Sequence, residues 1–323
     1  MVLAAFLIDH VPGGWPEVTE GGRPLCAVTP EPAGSFEHEL RVLTVNLWGV
    51  PTPVTEDPSR WRDLPPHLEG YDLVAVQEAF LDENREPLRR LSYPHQLFGS
   101  MGYLPFERLG DGLALFSRYP IVEHDRMAFD VCKASDCGSV KGALFARLRI
   151  RDDLEVDVFV THLQADSTGQ LATVVRRRQL RHLRSFMARH DQGHPRLVVG
   201  DFNTPSETPA YNRMVTDLGV RDAWPEARRT GSKGGLRPGA VPSLGETLSP
   251  RNTWRPGGAA ERIDYVFLRP GLFHDFDVRE AQTRLDEPVN GRHLSDHFGV
   301  EVRLAVRTTL ERQHSRGSLS TAP

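Results

Sequence analysis

Polar residues able to bind a cation or move a proton recur at the ends of apolar runs: Asn46, Glu78, His162, Asp201 with Asn203, Asp264, and Asp296 with His297. Carboxylate and amide oxygens are hard donors suited to Mg²⁺, with Mn²⁺ or Co²⁺ as substitutes. A carboxylate or an imidazole can take a proton from water, and imidazoles and amides can donate to a developing oxyanion. Hydrolysis at phosphorus asks for this set: an activated water, neutralised phosphoryl oxygens and a stabilised leaving oxygen, placed roughly in line. Singly, each residue has an ordinary reading. An Asn or Asp after a strand forms turns, and a lone His is more often a hydrogen-bonded part of the fold.

The elements that must position these residues are apolar and short. Strands are expected over residues 40–48, 73–77, 112–117, 142–150, 156–162, 196–200, 263–268 and 298–306. Several are apolar throughout, as strands buried on both faces are, which favours a layered α/β domain. Leu171, Val174, Val175, Leu180, Leu183 and Phe186 are spaced for an amphipathic helix over 168–188, with an Arg-rich face in solvent. Residues 226–258 read as an irregular connection, either a substrate-side loop or a flexible one. The expected organisation is an N-terminal extension (1–38), a catalytic domain (39–307) and a disordered polar tail (308–323).

Composition narrows the classes. The 323 residues carry 43 acidic and 39 basic side chains, a formal charge of −4, so a stable nucleic-acid partner is not expected. Cys26, Cys132 and Cys137 lack zinc-ligand spacing and allow at most one bridge, with Cys132 and Cys137 the nearest pair. Met1 to Ile8 is apolar but lacks a basic start and a small-residue cleavage site, and no run reaches the length of a membrane span. The expectation is a soluble monomer, cytoplasmic or secreted without a recognisable signal peptide.

Taken together and in order, Asn46, Glu78, His162, Gly200-Asp201-Phe202-Asn203 and Ser295-Asp296-His297 resemble the endonuclease/exonuclease/phosphatase superfamily from about residue 40 to 305. The resemblance implies a four-layered α/β sandwich, two β-sheets face to face with helices outside and the active site at one end of the sheets. It implies Glu78 and Asn46 as metal ligands and Asp201 as the group orienting or deprotonating water, with the formal base open between Asp201 and His297. Asn203 and His162 become donors to the phosphoryl group. Asp296 acts with His297, fixing its tautomer, and Asp264 matches a position that orients a catalytic His.

Three stretches resemble the sphingomyelinases within that superfamily. Thr161 to Ser167 (THLQADS) is similar to bacterial sphingomyelinases C, and Asn46 to Pro51 (NLWGVP) to the first motif of animal neutral sphingomyelinases. Asp136 and Lys141, followed by Gly142, have the spacing of an activation-switch loop in these enzymes. Only three of the 39 basic residues are Lys, and Lys133 and Lys141 both flank this loop, which favours a role specific to an ammonium. An exposed Asp/Lys pair in an ordinary turn is the alternative. The resemblance implies a phospholipid substrate, sphingomyelin first, reached by transient contact with a membrane surface. Nuclease and inositol or nucleotide phosphatase activities are the alternatives within the superfamily. The long hydrophobic hairpin of secreted bacterial members has no counterpart in an aromatic run here.

Overall fold

The computed structural model describes residues 37–51, 58–100, 109–165, 169–229 and 245–309. Nearly all of the expected extension and tail, together with Asp166 and Ser167 of the THLQADS stretch, lie outside the described residues. Two six-stranded sheets form the frame. The first is ordered β11-β12-β1-β2-β4-β3, from β1 (Glu37–Asn46), β2 (Leu73–Gln77), β3 (His95–Phe98), β4 (Ala114–Ser117), β11 (His274–Arg284) and β12 (Gly299–Thr308). The second is β5-β6-β7-β8-β10-β9, from β5 (Ile121–Ala128), β6 (Gly142–Arg151), β7 (Leu154–His162), β8 (Arg196–Asp201), β9 (Arg221–Asp222) and β10 (Asp264–Arg269).

Alternation along the strands builds four layers. On β1, Leu40 and Val42 join a core shared with Val158 of β7 and Val199 of β8, so they lie between the sheets, while Leu43 and Val45 face outward. The outward set packs with Trp61 of α1 (Pro58–Asp63), Leu68 of α2 (Pro65–Leu68) and Leu88 of α3 (Asp82–Arg89). On the second sheet, Phe145, Phe159, Val198 and Phe267 pack outward against Leu183 and Phe186 of α4 (Gln170–Arg189) and Met214 of α5 (Pro209–Leu218). A further short helix, α6 (Ala223–Arg229), adds Ala223, Trp224 and Ala227 to the inter-sheet core. Three apolar cores therefore separate helix, sheet, sheet and helix, the sandwich the sequence resemblance implied.

The eight expected strands are all present, and each lies inside a sheet. The four not expected, β3, β5, β9 and β11, are the four sheet edges. Helix α4 also differs from its expected face. Its buried stripe runs through Ala172, Val175, Gln179, Leu183 and Phe186, which turns Leu171 and Val174 outward, 55% and 61% exposed. The same rotation buries Arg176, whose guanidinium donates to the Gln164 carbonyl. No helix among the described residues is long and apolar enough to cross a membrane.

Candidate active site

Strand direction gathers the polar residues at one end of the sandwich. Parallel β1 and β2 pair Asn46 with Gln77, the residue before Glu78. Parallel β7 and β8 pair His162 with Asp201, and antiparallel β10 sets Asp264 opposite Asp201. His297 precedes β12, which runs antiparallel to β1 and so begins at the same end. Gly200 makes the β7–β8 approach possible: its φ is +137°, and a Cβ there would stand 1.9 Å from the Thr161 carbonyl oxygen. Trp48, Glu78 and Asn203 hold φ values of 51°, 62° and 49°. Asn tolerates that conformation, whereas Trp and Glu resist it by about 1–2 kcal/mol each, strain that the surrounding fold sustains.

Every expected site residue lies at this end, and all but Asn46 and Asp264 line a cavity of about 650 Å³. His297 Nδ1 is 2.9 Å from Asp264 Oδ2, a hydrogen bond, while His297 Nε2 is 4.0 Å from both Asp201 Oδ2 and Asp296 Oδ1. The carboxylate that fixes the tautomer is therefore Asp264 rather than Asp296, a correction to the sequence expectation. In the bend that precedes β12, the Asp296 carboxylate stands on the Nε2 side of the ring instead, its Oδ1 4.0 Å from that nitrogen. Burial opposes the charge on His297, but Asp264 and then Asp296 outweigh it and hold the imidazolium up to about 10. Burial first, and then the Asp264 charge, push Asp201 up to about 7. Asn203 donates its backbone N–H to Asp201 Oδ1 at 2.8 Å and its Nδ2 to the Leu163 carbonyl at 3.1 Å, leaving one amide proton for a ligand.

Asp136 and Lys141 meet as the loop spacing suggested, in a buried setting. The ammonium lies 2.8 Å from Asp136 Oδ2, 2.9 Å from His162 Nε2 and 2.8 Å from the Leu163 carbonyl, which uses all three of its protons. Asp136 Oδ2 also accepts the Ala165 N–H at 2.6 Å, and a Cys132–Cys137 disulfide closes the loop around it. This arrangement revises His162. Its Nε2 accepts from Lys141, and burial followed by the Lys141 and His297 charges holds its pKa well below the usual imidazole range. A neutral His162 bound in this way anchors the Lys and does not donate from Nε2.

Two groups of residues are candidates for a cation. Asp201, Asp264 and His297 cluster closely enough for one, but an imidazolium whose Nδ1 proton is held by Asp264 has no lone pair to give there. Glu78 fits better. Its Oε1 accepts from Asn46 Nδ2 at 2.9 Å, its Oε2 is buried with no hydrogen-bond partner, and burial raises its pKa. A divalent cation would satisfy that oxygen and reverse the cost of the buried charge. Asn46 holds Glu78 and Asp201 together through Nδ2 at 2.9 and 3.0 Å, while its Oδ1 accepts the Trp48 N–H at 2.9 Å with one lone pair and keeps the other for a ligand.

With this geometry in place, the comparisons are direct. The Endonuclease/Exonuclease/phosphatase family model matches residues 43–297. The chain belongs to this family. It is a phosphodiester hydrolase. It is 25% identical to human Sphingomyelin phosphodiesterase 2 over 87% of this chain and 68% of that protein. To Inositol phosphosphingolipids phospholipase C of Schizosaccharomyces pombe it is 27% identical over 83% and 69%. Among solved structures, a Staphylococcus aureus beta toxin variant with bound magnesium ions superposes with a TM-score of 0.63 at 17% identity, covering 82% of this chain and 99% of that one.

Sequence reasoning gave no role to several residues that hold this family member's site. Arg60, on α1, donates to the carbonyls of Leu47 and Leu294 and so ties the Asn46 segment to the Ser295 segment. Ser295 Oγ donates to the Asn46 carbonyl at 2.6 Å and accepts the His297 N–H at 3.2 Å. Of the stretch 226–258, expected to be irregular, residues 226–229 instead belong to α6, and in the rest of its described part Leu248 and Arg255 line the cavity. Lone Arg residues in polar stretches carry no periodic signal that would have marked them.

Proposed function

We propose that the chain is a Mg²⁺-dependent sphingomyelin phosphodiesterase, releasing ceramide and phosphocholine. The observation that carries this reading is the buried Asp136–Lys141–His162 cluster: the pair that narrows the resemblance to sphingomyelinases is built into the wall of the cavity beside Glu78. Glu78 and Asn46 would hold the cation, which when bound neutralises phosphoryl charge. Asp201, its proton affinity raised to neutral pH, takes the proton of the attacking water. His297, kept cationic by Asp264 on Nδ1, presents its Nε2–H to a phosphoryl or leaving oxygen. Asn203 adds its remaining amide proton. Transient membrane contact belongs to the same proposal, supported by Leu171 and Val174 exposed on the opening turns of α4, close in sequence to the cavity residue Ala165.

The test is a parallel assay of purified protein with Mg²⁺ on sphingomyelin, an inositol phosphosphingolipid, phosphatidylcholine, an abasic-site duplex and inositol phosphates. Sphingomyelin should turn over with the highest kcat/KM. Faster turnover of the duplex or of the inositol phosphates would move the chain to the nuclease or phosphatase branches.

A further inference from the structure

Among the described residues that line the cavity, the cationic side chains are Lys141, His297 and Arg255. Lys141 has no proton left for a ligand, and His297 has only Nε2–H. Arg255 differs from both. Its nearest carboxylate oxygen, Asp296 Oδ2, is 3.9 Å from Nη1, beyond hydrogen-bond distance; the side chain is 37% exposed on the cavity wall, and its Nε is buried without a partner. A guanidinium carries five donors in a planar fork, and leaving one buried and unmatched is costly.

The backbone that presents this fork is held firmly. Arg255 N–H donates to the Asn252 carbonyl, and the Gly258 N–H donates to the Arg255 carbonyl, both at 3.0 Å. Asn252 Nδ2 donates to the Ser295 carbonyl at 2.9 Å, and Trp254 Nε1 to the His293 carbonyl at 2.7 Å. The turn is thereby stapled to the segment that carries Asp296 and His297. On the rest of the cavity wall, Glu78, Asp136, Asp201, Glu261 and Asp296 give a surplus of carboxylates, against which an entering phosphodiester anion needs matched donors.

We propose that Arg255 is a catalytic residue that grips the non-bridging oxygens of the phosphodiester. A bidentate contact matches the planar fork to two phosphoryl oxygens and tightens as charge gathers on them in the transition state. The proposal rests on the chain being a phosphodiester hydrolase and not on the identity of the lipid.

Three measurements on the Mg²⁺-loaded full-length protein test it: hydrolysis of bis(4-nitrophenyl) phosphate, binding of inorganic phosphate by calorimetry, and thermal melting, for wild type, Arg255→Ala and Arg255→Lys. Arg255→Ala should lower kcat/KM about 10²-fold and weaken phosphate binding about tenfold, with the melting midpoint unmoved. Arg255→Lys should recover only part of each loss, since a point charge cannot replace a fork. Wild-type phosphate binding in Arg255→Ala, full recovery by Arg255→Lys, or a wild type that binds no phosphate would each overturn the proposal. If sphingomyelin is not hydrolysed but phosphate binding still depends on Arg255, the lipid reading fails and the role of Arg255 stands.

Discussion

Two glutamates, the half-buried Glu78 and the buried Glu301, show how one side chain serves opposite ends. Glu301, on β12, is 1% exposed and clasped by Arg41 Nε at 2.7 Å, Arg41 Nη2 at 3.1 Å and the Arg284 guanidinium. Burial raises its pKa, but the hydrogen bonds from Arg41 and Arg284 prevail and hold the carboxylate below its ordinary value. Glu78 has one amide donor on Oε1, none on Oε2, and a pKa raised by burial. Glu301 has its charge matched by two guanidinium groups, whereas Glu78, on the cavity wall, keeps an oxygen with no hydrogen-bond partner.

The sharpest way to break this comparison is Glu78→Gln. Turnover should fall about 10³-fold or more, the scale of losing the group that secures phosphate neutralisation, and EDTA should do the same to wild type. Because the raised carboxyl pKa means that the ionised form costs stability in metal-free protein, Glu78→Gln in EDTA should melt no lower than wild type at pH 7. The sign follows from linkage. The cost is present above the raised folded pKa and disappears as pH falls toward 4.5, so any advantage of the Gln variant should shrink on acidification. A variant that keeps near wild-type kcat, or melts well below it, would place Glu78 with Glu301 as a structural residue.

Next in size is Lys141. Three acceptors within 2.9 Å leave no room for a longer planar group, so Lys141→Arg and Lys141→Ala should both lose about 10–10² in kcat, with little change in metal affinity. Kinetics on sphingomyelin micelles and on a small soluble diester would check this; full activity of Lys141→Arg on both would reduce the cluster to a solvated turn.

The smallest effect belongs to Glu301→Gln. It should leave kcat/KM unchanged and cost about 1–3 kcal/mol in urea unfolding, since both Arg partners are more than a third exposed and screened. A depressed folded pKa contributes stability above pH 4.5 that is lost as pH falls through the folded value, so the two proteins should converge in acid. A gap that persists well below that range would show that packing, and not the charge, is what Glu301 supplies.

Why some of this was legible in the chain is a matter of local pattern. Strands such as Leu73–Gln77 and Arg196–Asp201 are buried on both faces, so apolar residues fill consecutive positions and the run stands out. Edge strands β5 (IVEHDRMA) and β11 (HDFDVREAQTR) keep one or both faces near water and read as polar, charged segments. Asn46, Glu78, His162, Asp201, Asp264 and His297 were visible because site residues on this fold terminate the readable strands.

The sequence by itself determined the eight interior strands, the residue types of a phosphoester site and the loop in which Asp136 and Lys141 stand five positions apart. Each of these is a property of neighbours along the chain. Only the tertiary structure decided that Asp264 and not Asp296 holds His297, that His162 accepts from Lys141, and that Arg255 faces the cavity with a donor to spare. Those are choices among charges far apart in sequence, made when strand pairing and register bring the ends of two sheets to one place.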